Sequence, residues 1–423
     1  MEEFFRKVQA ALKDQSLRKK ILFIFVAIVF FRALANIPIP GMDPSRLQAF
    51  LSQSQFLGLL NIFSGGGLAN MSIVMVGVAA FITASIIMQL LTVLSPKLKA
   101  LLHEEGDIGR RRFYQYARIL TLPLALVQAF GLITLLQTNG VLPPFTPFET
   151  LLNVIVISAG SILLMWIGEL ITEFGIGNGV SIIIFAGIVA AIPGSISQIL
   201  FTYDPSQIPV YAGFIAAALA IIAGATLVTE AERPVPIIYA KRVRGAKSSS
   251  GISTYLPIRV NQAGVMPIIF ALSLLLFPRI GANFLVKMQS PTAQHIGQTV
   301  LNLFQNGWFY SIFYFILVFL FTFFYKSIMF EPDTVATNLQ KSGAFIPGVR
   351  PGQTTAEYIG QISNRVTLVG AAFLSLLAVL PLAMQAATGN STLAIGGTAV
   401  LIVVNVILDV VKKVDAQITM REY

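Results

Sequence analysis

The sequence predicts an all-α polytopic membrane protein with ten transmembrane helices. Ten apolar stretches, each near the ~20 residues that cross a bilayer, follow one another from residue 21 to residue 411. The composition agrees: 55% of the 423 residues are hydrophobic and only 11% are charged, against about a quarter in soluble domains, and the mean hydropathy is +0.77. Third, the net charge of +10 is unevenly placed. Lys and Arg crowd the N-terminus and the segments 97–118, 233–259, 326–365 and 412–421, whereas the connections near 139–149, 201–209 and 387–394 carry none. By the positive-inside rule the basic connections and both termini are cytoplasmic, as an even number of spans requires. The basic balance therefore reports topology first and a nucleic-acid partner only as an addition.

Taken in order, residues 1–20 place Phe4, Phe5, Val8 and Leu12 at helical spacing among basic residues, the pattern of a cytoplasmic interfacial helix. No small-residue cleavage site follows the first apolar run, so it reads as a span and not as a signal peptide. The spans are expected at 21–38, 73–94, 117–138, 151–171, 180–200, 211–229, 263–280, 308–329, 366–386 and 395–411. This gives a first five-helix half over 21–200, a second over 201–411, and a cytoplasmic tail over 412–423. Arg32 sits close to the external end of the first span, where a long side chain can snorkel to the interface.

Three segments interrupt the pattern. Between the first two spans, an apolar run too short to cross precedes Ser64-Gly65-Gly66-Gly67. It reads either as a short re-entrant or plugging helix with a glycine hinge, or as an external helix packed on the bundle. The other two are cytoplasmic connections at 230–261 and 330–365, rich in Pro, Gly and basic residues. The first predicts two extended arms around a turn, which would carry Arg242, Arg244 and Lys247 outward as a platform for an acidic or nucleic-acid partner. A solvated loop that only sets topology is the alternative.

Catalytic and cofactor chemistry finds no purchase. The absence of cysteine excludes disulfides, thiolate metal sites and cysteine nucleophiles. The only two histidines, His103 and His295, fall in loops on opposite sides of the membrane and predict no metal site. The glycines of 175–179 follow an apolar helix, with no Lys-Ser/Thr after them, so they make a tight turn rather than a phosphate loop. Glu169 and Glu173 read as carboxylates at a helix end. The second span is more pointed: Ile82 and Ile86 are one turn apart, and Thr83, Ser85, Gln89 and Thr92 make the helix too polar for pure lipid contact. The fifth span repeats the isoleucine pair at Ile184 and Ile188, although such pairs are ordinarily plain packing.

Several motifs then stand in a specific order. They are Ile37-Pro38-Ile39-Pro40-Gly41, Asn61-Ile62-Phe63-Ser64-Gly65-Gly66-Gly67, Ala84-Ser85-Ile86-Ile87-Met88-Gln89-Leu90-Leu91, and Glu104-Glu105-Gly106 with Gly109-Arg110-Arg111. They continue with the segment 175–188, Val260-Asn261-Gln262-Ala263-Gly264-Val265-Met266-Pro267, and Lys341-Ser342-Gly343-Ala344-Phe345-Ile346-Pro347-Gly348-Val349-Arg350-Pro351-Gly352. On these the chain resembles, over essentially its whole length, the SecY/Sec61-alpha family of protein-translocation channel subunits. The resemblance implies two pseudo-symmetric five-helix halves around a central pore. It implies an apolar pore ring of Ile82, Ile86, Ile184, Ile188, Ile269 and Ile402, which would exclude ions by dewetting. It implies a plug over 57–70 that includes Leu57, Leu60, Asn61, Ile62, Phe63, Gly65, Gly66, Gly67 and Asn70. It further implies a lateral gate between spans two and three on one side and seven and eight on the other, involving Ser85, Gln89, Thr92, Pro267 and Phe277, with Pro267 expected to loosen the seventh span.

By the same resemblance, Arg242, Arg244, Lys247 and Arg350 would dock the SecA motor ATPase or the ribosome, including its RNA. The chain departs from relatives at Ala246-Lys247, where adjacent basic residues are common, and the resemblance then implies that the basic contacts shift to Arg242 and Arg244. SecE-like and SecG-like small subunits, signal peptides, unfolded preproteins and membrane lipid are the further implied partners, and no cofactor is implied. The expected function is passage of unfolded secretory chains across the bacterial cytoplasmic membrane and lateral release of apolar segments, with no enzymatic activity. A secondary transporter, which would want protonatable groups at mid-membrane, and a non-conducting assembly scaffold are the rival readings.

Overall fold

The structure, a computed structural model, describes residues 14–39, 61, 64–138, 140–201, 208–239, 243–244, 247–248, 253–264, 266–286, 288, 290–388 and 391–422. Among the described residues there are thirteen helices and five short strands. Most of the expected N-terminal amphipathic helix lies outside them.

The first half begins with α1 (Gln15–Ala35), whose N-cap Asp14 accepts a 2.8 Å bond from the Ser16 N–H. α2 (Ala79–Leu94) starts six residues later than the hydropathy predicts. Residues 64–78 are instead a chain of turns, with Gly65, Gly66, Met71 and Gly77 at φ of 62°, 88°, 46° and 64°, values that an α-helix does not admit. Irregular backbone at membrane depth must be satisfied by protein, and it is. The Ile39 N–H reaches the Met71 carbonyl at 2.9 Å, the Ile73 N–H reaches the Ile37 carbonyl at 3.0 Å, and Ser161 Oγ donates to the Gly77 carbonyl at 2.7 Å.

α2 ends at Ser95-Pro96, and α3 (Pro96–His103) leaves it at 118°. Proline at the first helical position needs no donor, so it starts α3 as readily as it stops α2. α4 (Gly106–Thr138) and α5 (Pro147–Phe174) pack on each other, and α5 opens with a reciprocal capping box between Thr146 and Glu149. The turn to α6 (Gly179–Phe201) is as tight as expected: an added Cβ at Gly179 would overlap the Gly168 carbonyl. Glu169 meets Arg118 of α4 at 2.6 Å.

The second half consists of α7 (Ile208–Glu230), α8 (Met266–Val286), α9 (Pro291–Gln305), α10 (Gly307–Met329), α11 (Pro332–Lys341), α12 (Gln353–Thr388) and α13 (Ser391–Glu422). α9 lies in the external connection between the seventh and eighth spans and is helical where the sequence reading placed only a loop. α13 continues through the expected tail to Glu422. α4, α5, α8, the α10–α11 run and α12 hold windows long and apolar enough to cross a membrane unaided, and α2 with α3 forms a bent sixth. α1, α6, α7 and α13 complete the ten expected spans.

The two cytoplasmic connections fold as one unit. β1 (Glu232–Tyr239) pairs antiparallel with β4 (Ser253–Arg259) from Glu232↔Arg259 to Ile238↔Ser253, and its other edge takes β5 (Ala344–Phe345) from the second connection. Val235, Ile258, Ile346 and Ile359 make a small core beneath this sheet. At the far end β2 (Val243–Arg244) pairs with β3 (Lys247–Ser248).

Candidate functional site: an apolar constriction, a glycine turn and a seam

Four helices from both halves converge on one apolar cluster. α2 brings Ile82 and Ile86, α6 brings Ile184 and Ile188, α8 brings Ile269 and α13 brings Ile402. All six are buried, none more than 6% exposed. Each one-turn pair stays on one helix face. Branched aliphatic side chains offer no group that could solvate an ion.

The glycine turn lies against this cluster. An added Cβ at Gly187, the residue before Ile188, would overlap the backbone of Gly65, and one at Gly65 would overlap the Phe31 ring. The turn is thus held between α1 and α6 where only glycine permits the approach. Arg32, expected near the external end of the first span, is half-buried and reaches this turn. Its Nη1 donates to the Gly65 carbonyl at 3.1 Å. Asn61 ties the segment to itself, its Oδ1 accepting from the Ala69 N–H at 2.9 Å, and Asn70 donates to the Ala35 carbonyl at 3.2 Å. Gly66 and Gly67 continue the turn. Leu57, Leu60, Ile62 and Phe63 lie outside the described residues.

A seam runs beside the cluster where α8 packs on α2 and α4. On its α2 wall Ser85 and Gln89 are half-buried, and Thr92 is buried with its hydroxyl on the Gln89 carbonyl at 2.6 Å. Gln89 Oε1 is buried with no hydrogen-bond partner among the described residues. On the α8 wall Phe277 is half-buried and Pro267 buried. Pro267 cannot loosen this helix. It is the second residue of α8, where the N–H has no intrahelical acceptor to lose. The internal proline is Pro278.

Sequence reasoning missed two contacts. Gly187 carries no signal beyond being small. Lys99 of α3 and Glu331, the N-cap of α11, form a 3.4 Å ion pair between the connections on either side of the seam. In the cytoplasmic platform Arg350 is exposed in a turn between Gly348 and Gly352, at φ of 81° and 105°. Arg244 and Lys247 face each other in register, and Arg242 lies outside the described residues. Among the described residues there is no cluster of His, Cys, Asp or Glu that would hold a metal.

Comparison with known proteins places this architecture. The family model SecY matches residues 72–411. The protein translocase subunit SecY of Streptomyces scabiei is 41% identical, the match covering 98% of this chain and 97% of that protein. The same subunit of Corynebacterium glutamicum is 40% identical over 98% of each. Among solved structures, one described as a protein conducting channel superimposes with a TM-score of 0.66 at 18% identity, covering 96% of this chain and 94% of that one. Another, concerned with the plug domain of SecY and the closed state of its channel, gives 0.69 at 18% identity over 96% and 93%. At that identity the structures speak for the fold, and the sequence matches speak for descent. With the SecY model spanning most of its length and translocase subunits aligned end to end, the chain belongs to the SecY family.

Proposed function

We propose that the chain is the protein-conducting subunit of a translocase in the bacterial cytoplasmic membrane, with the six-isoleucine cluster as its constriction. Convergence of Ile82, Ile86, Ile184, Ile188, Ile269 and Ile402 from four helices and both halves is the observation that carries this reading. A channel made this way needs no catalytic group. In the closed state the ring excludes water, and the glycine turn fastened by Arg32 and Gly187 stands against it as the root of the plug. An unfolded chain passes when the side chains yield around it. An apolar signal segment shifts the population toward an open seam between α2/α4 and α8/α10, because only that state offers it burial. Apolar stretches leave sideways into lipid by the same seam.

The cytoplasmic sheet is the docking surface in this reading, with Arg350, Arg244, Lys247 and Arg242 meeting either the SecA motor ATPase or the ribosome and its RNA. One related structure is described as Sec61 in the canine ribosome–channel complex from the endoplasmic reticulum, which supports a ribosome as one such partner. SecE-like and SecG-like subunits would complete the assembly, since the translocase subunits matched above are named as parts of a larger machine.

The natural absence of cysteine permits a clean test. A secretory chain carrying one cysteine is stalled halfway through membranes containing the Ile86→Cys variant. A disulfide that requires the signal sequence, and is weak or absent at the neighbouring half-buried Ile87→Cys, is expected. Active translocation with no adduct at any ring position would move the path elsewhere.

A further inference from the structure

The cytoplasmic ends of α10 and α12 hold two cations without a counter-charge. Lys326, three residues from the end of α10, is only 7% exposed. Its ammonium donates to Asn364 Oδ1 of α12 at 2.6 Å. Asn364 is neutral, and no carboxylate among the described residues lies within ion-pair distance of Lys326. Arg365, the next residue, is exposed and has no acceptor among the described residues. A buried ammonium held by one amide is strongly disfavoured unless an anion comes near it.

Beside these groups lies a groove of about 400 Å³ lined by Phe323, Asn364, Arg365 and Leu368. Its apolar wall faces out of the bundle: Leu368, Val369 and Leu320 are all exposed on helices that span the membrane. Its polar corner sits at the end facing the basic connection of 330–365, which is the cytoplasmic end. A soluble anion would satisfy the corner and leave the wall against nothing. A lipid satisfies both, since its phosphate lies at headgroup height and its acyl chains descend along Phe323, Leu368 and Val369. The inner leaflet is also where anionic lipid concentrates, and basic pockets between spanning helices on that side suit it.

We propose that the α10–α12 groove binds the phosphate of an anionic phospholipid from the cytoplasmic leaflet, Arg365 holding the phosphate and Lys326 with Asn364 supporting it from behind. The lipid would then fasten the eighth span to the ninth, on the wall of the seam that moves when the gate opens.

The test uses the purified channel with its small subunits in micelles doped equally with phosphatidylglycerol and phosphatidylcholine, and counts retained lipids by native mass spectrometry. The parent complex is expected to retain phosphatidylglycerol in excess. Arg365→Gln should lower that retention about five-fold, the worth of one cation near an anionic lipid. Arg365→Lys should restore most of it, and Arg112→Gln, which removes an exposed charge from α4, should leave it unchanged. Arg365 is exposed, so its variants fold. Equal retention by the parent and Arg365→Gln would overturn the proposal. So would displacement of the lipid by millimolar inorganic phosphate, which would make this a soluble-anion site. Crosslinking of Arg365→Cys to a small subunit in place of lipid would also overturn it, giving the groove to a protein partner.

Discussion

At the scale of the residue, the packing of the 64–78 turns against α6 rests on contacts that only glycine allows. Gly187 lies between Ile184 and Ile188 on α6, and its missing side chain is what admits the Gly65 backbone. Gly187→Ala must push the glycine turn away or bend α6. Overpacking of this kind costs about 1–3 kcal/mol, enough to change the closed population by one to two orders of magnitude. The expected outcome is a channel that assembles normally and leaks ions at rest, read as single-channel conductance in planar bilayers without substrate. Tight closure in Gly187→Ala would mean that the turn is not part of the seal. Arg32 shows why such a contact escapes sequence reasoning: an arginine at a helix end has two acceptors within reach, water or a carbonyl, and hydropathy does not distinguish them.

At the scale of the element, the seam between the two halves is tied at its cytoplasmic edge by Lys99 on α3 and Glu331 at the start of α11. The Lys99 side chain is more than half exposed, so the pair contributes only about 0.2–1 kcal/mol and weakens with salt. Its use is geometric, because α3 and α11 move apart if the seam opens. Joining the two positions through Lys99→Cys and Glu331→Cys with a flexible, reducible thiol-reactive linker is expected to block passage of chains with a signal sequence, and cleaving the linker should restore it. Translocation at the normal rate in the linked variant would place the opening elsewhere. Proline placement is legible only once the helix boundary is known: Pro267 reads as a helix breaker in the sequence, yet at the second residue of α8 it is harmless.

At the scale of the whole molecule, the six isoleucines come from helices up to 320 residues apart, from Ile82 to Ile402. If these six form the constriction proposed above, sealing is a property of the set. Replacing one isoleucine with serine leaves five apolar neighbours, whereas replacing Ile86, Ile188 and Ile402 together opens a hydrated path. The triple variant is expected to conduct ions at rest and to pass chains with weakened signal sequences, measured by membrane potential decay and by export of a signal-defective reporter. Ion tightness and signal selectivity equal to the parent would show that the constriction is elsewhere. One apolar cluster is shared between the two sets of helices: α8 meets α2 and α4, and α6 meets α13.

Much was determined by the sequence alone. Ten apolar runs and the alternation of basic connections fix the helices and their orientation, because lipid permits no other backbone and charge is costly to move across it. The strand pairing of 232–259 was visible in its proline-bounded extended arms, and the order of the glycine, isoleucine and arginine motifs was specific enough to resemble one family. What the tertiary structure decided is where local pattern meets a distant partner. Residues 73–78 are as apolar as a span and yet form turns, because Gly77 reverses the backbone and α5 supplies its acceptors' partners through Ser161. The joining of the two cytoplasmic connections through β5, the clamp on Gly65, and the Lys326–Asn364 pair are likewise contacts between segments far apart in the chain. Hydropathy and periodicity describe one helix against its solvent; which side chain faces which neighbour is set by packing between helices, and that information is not local.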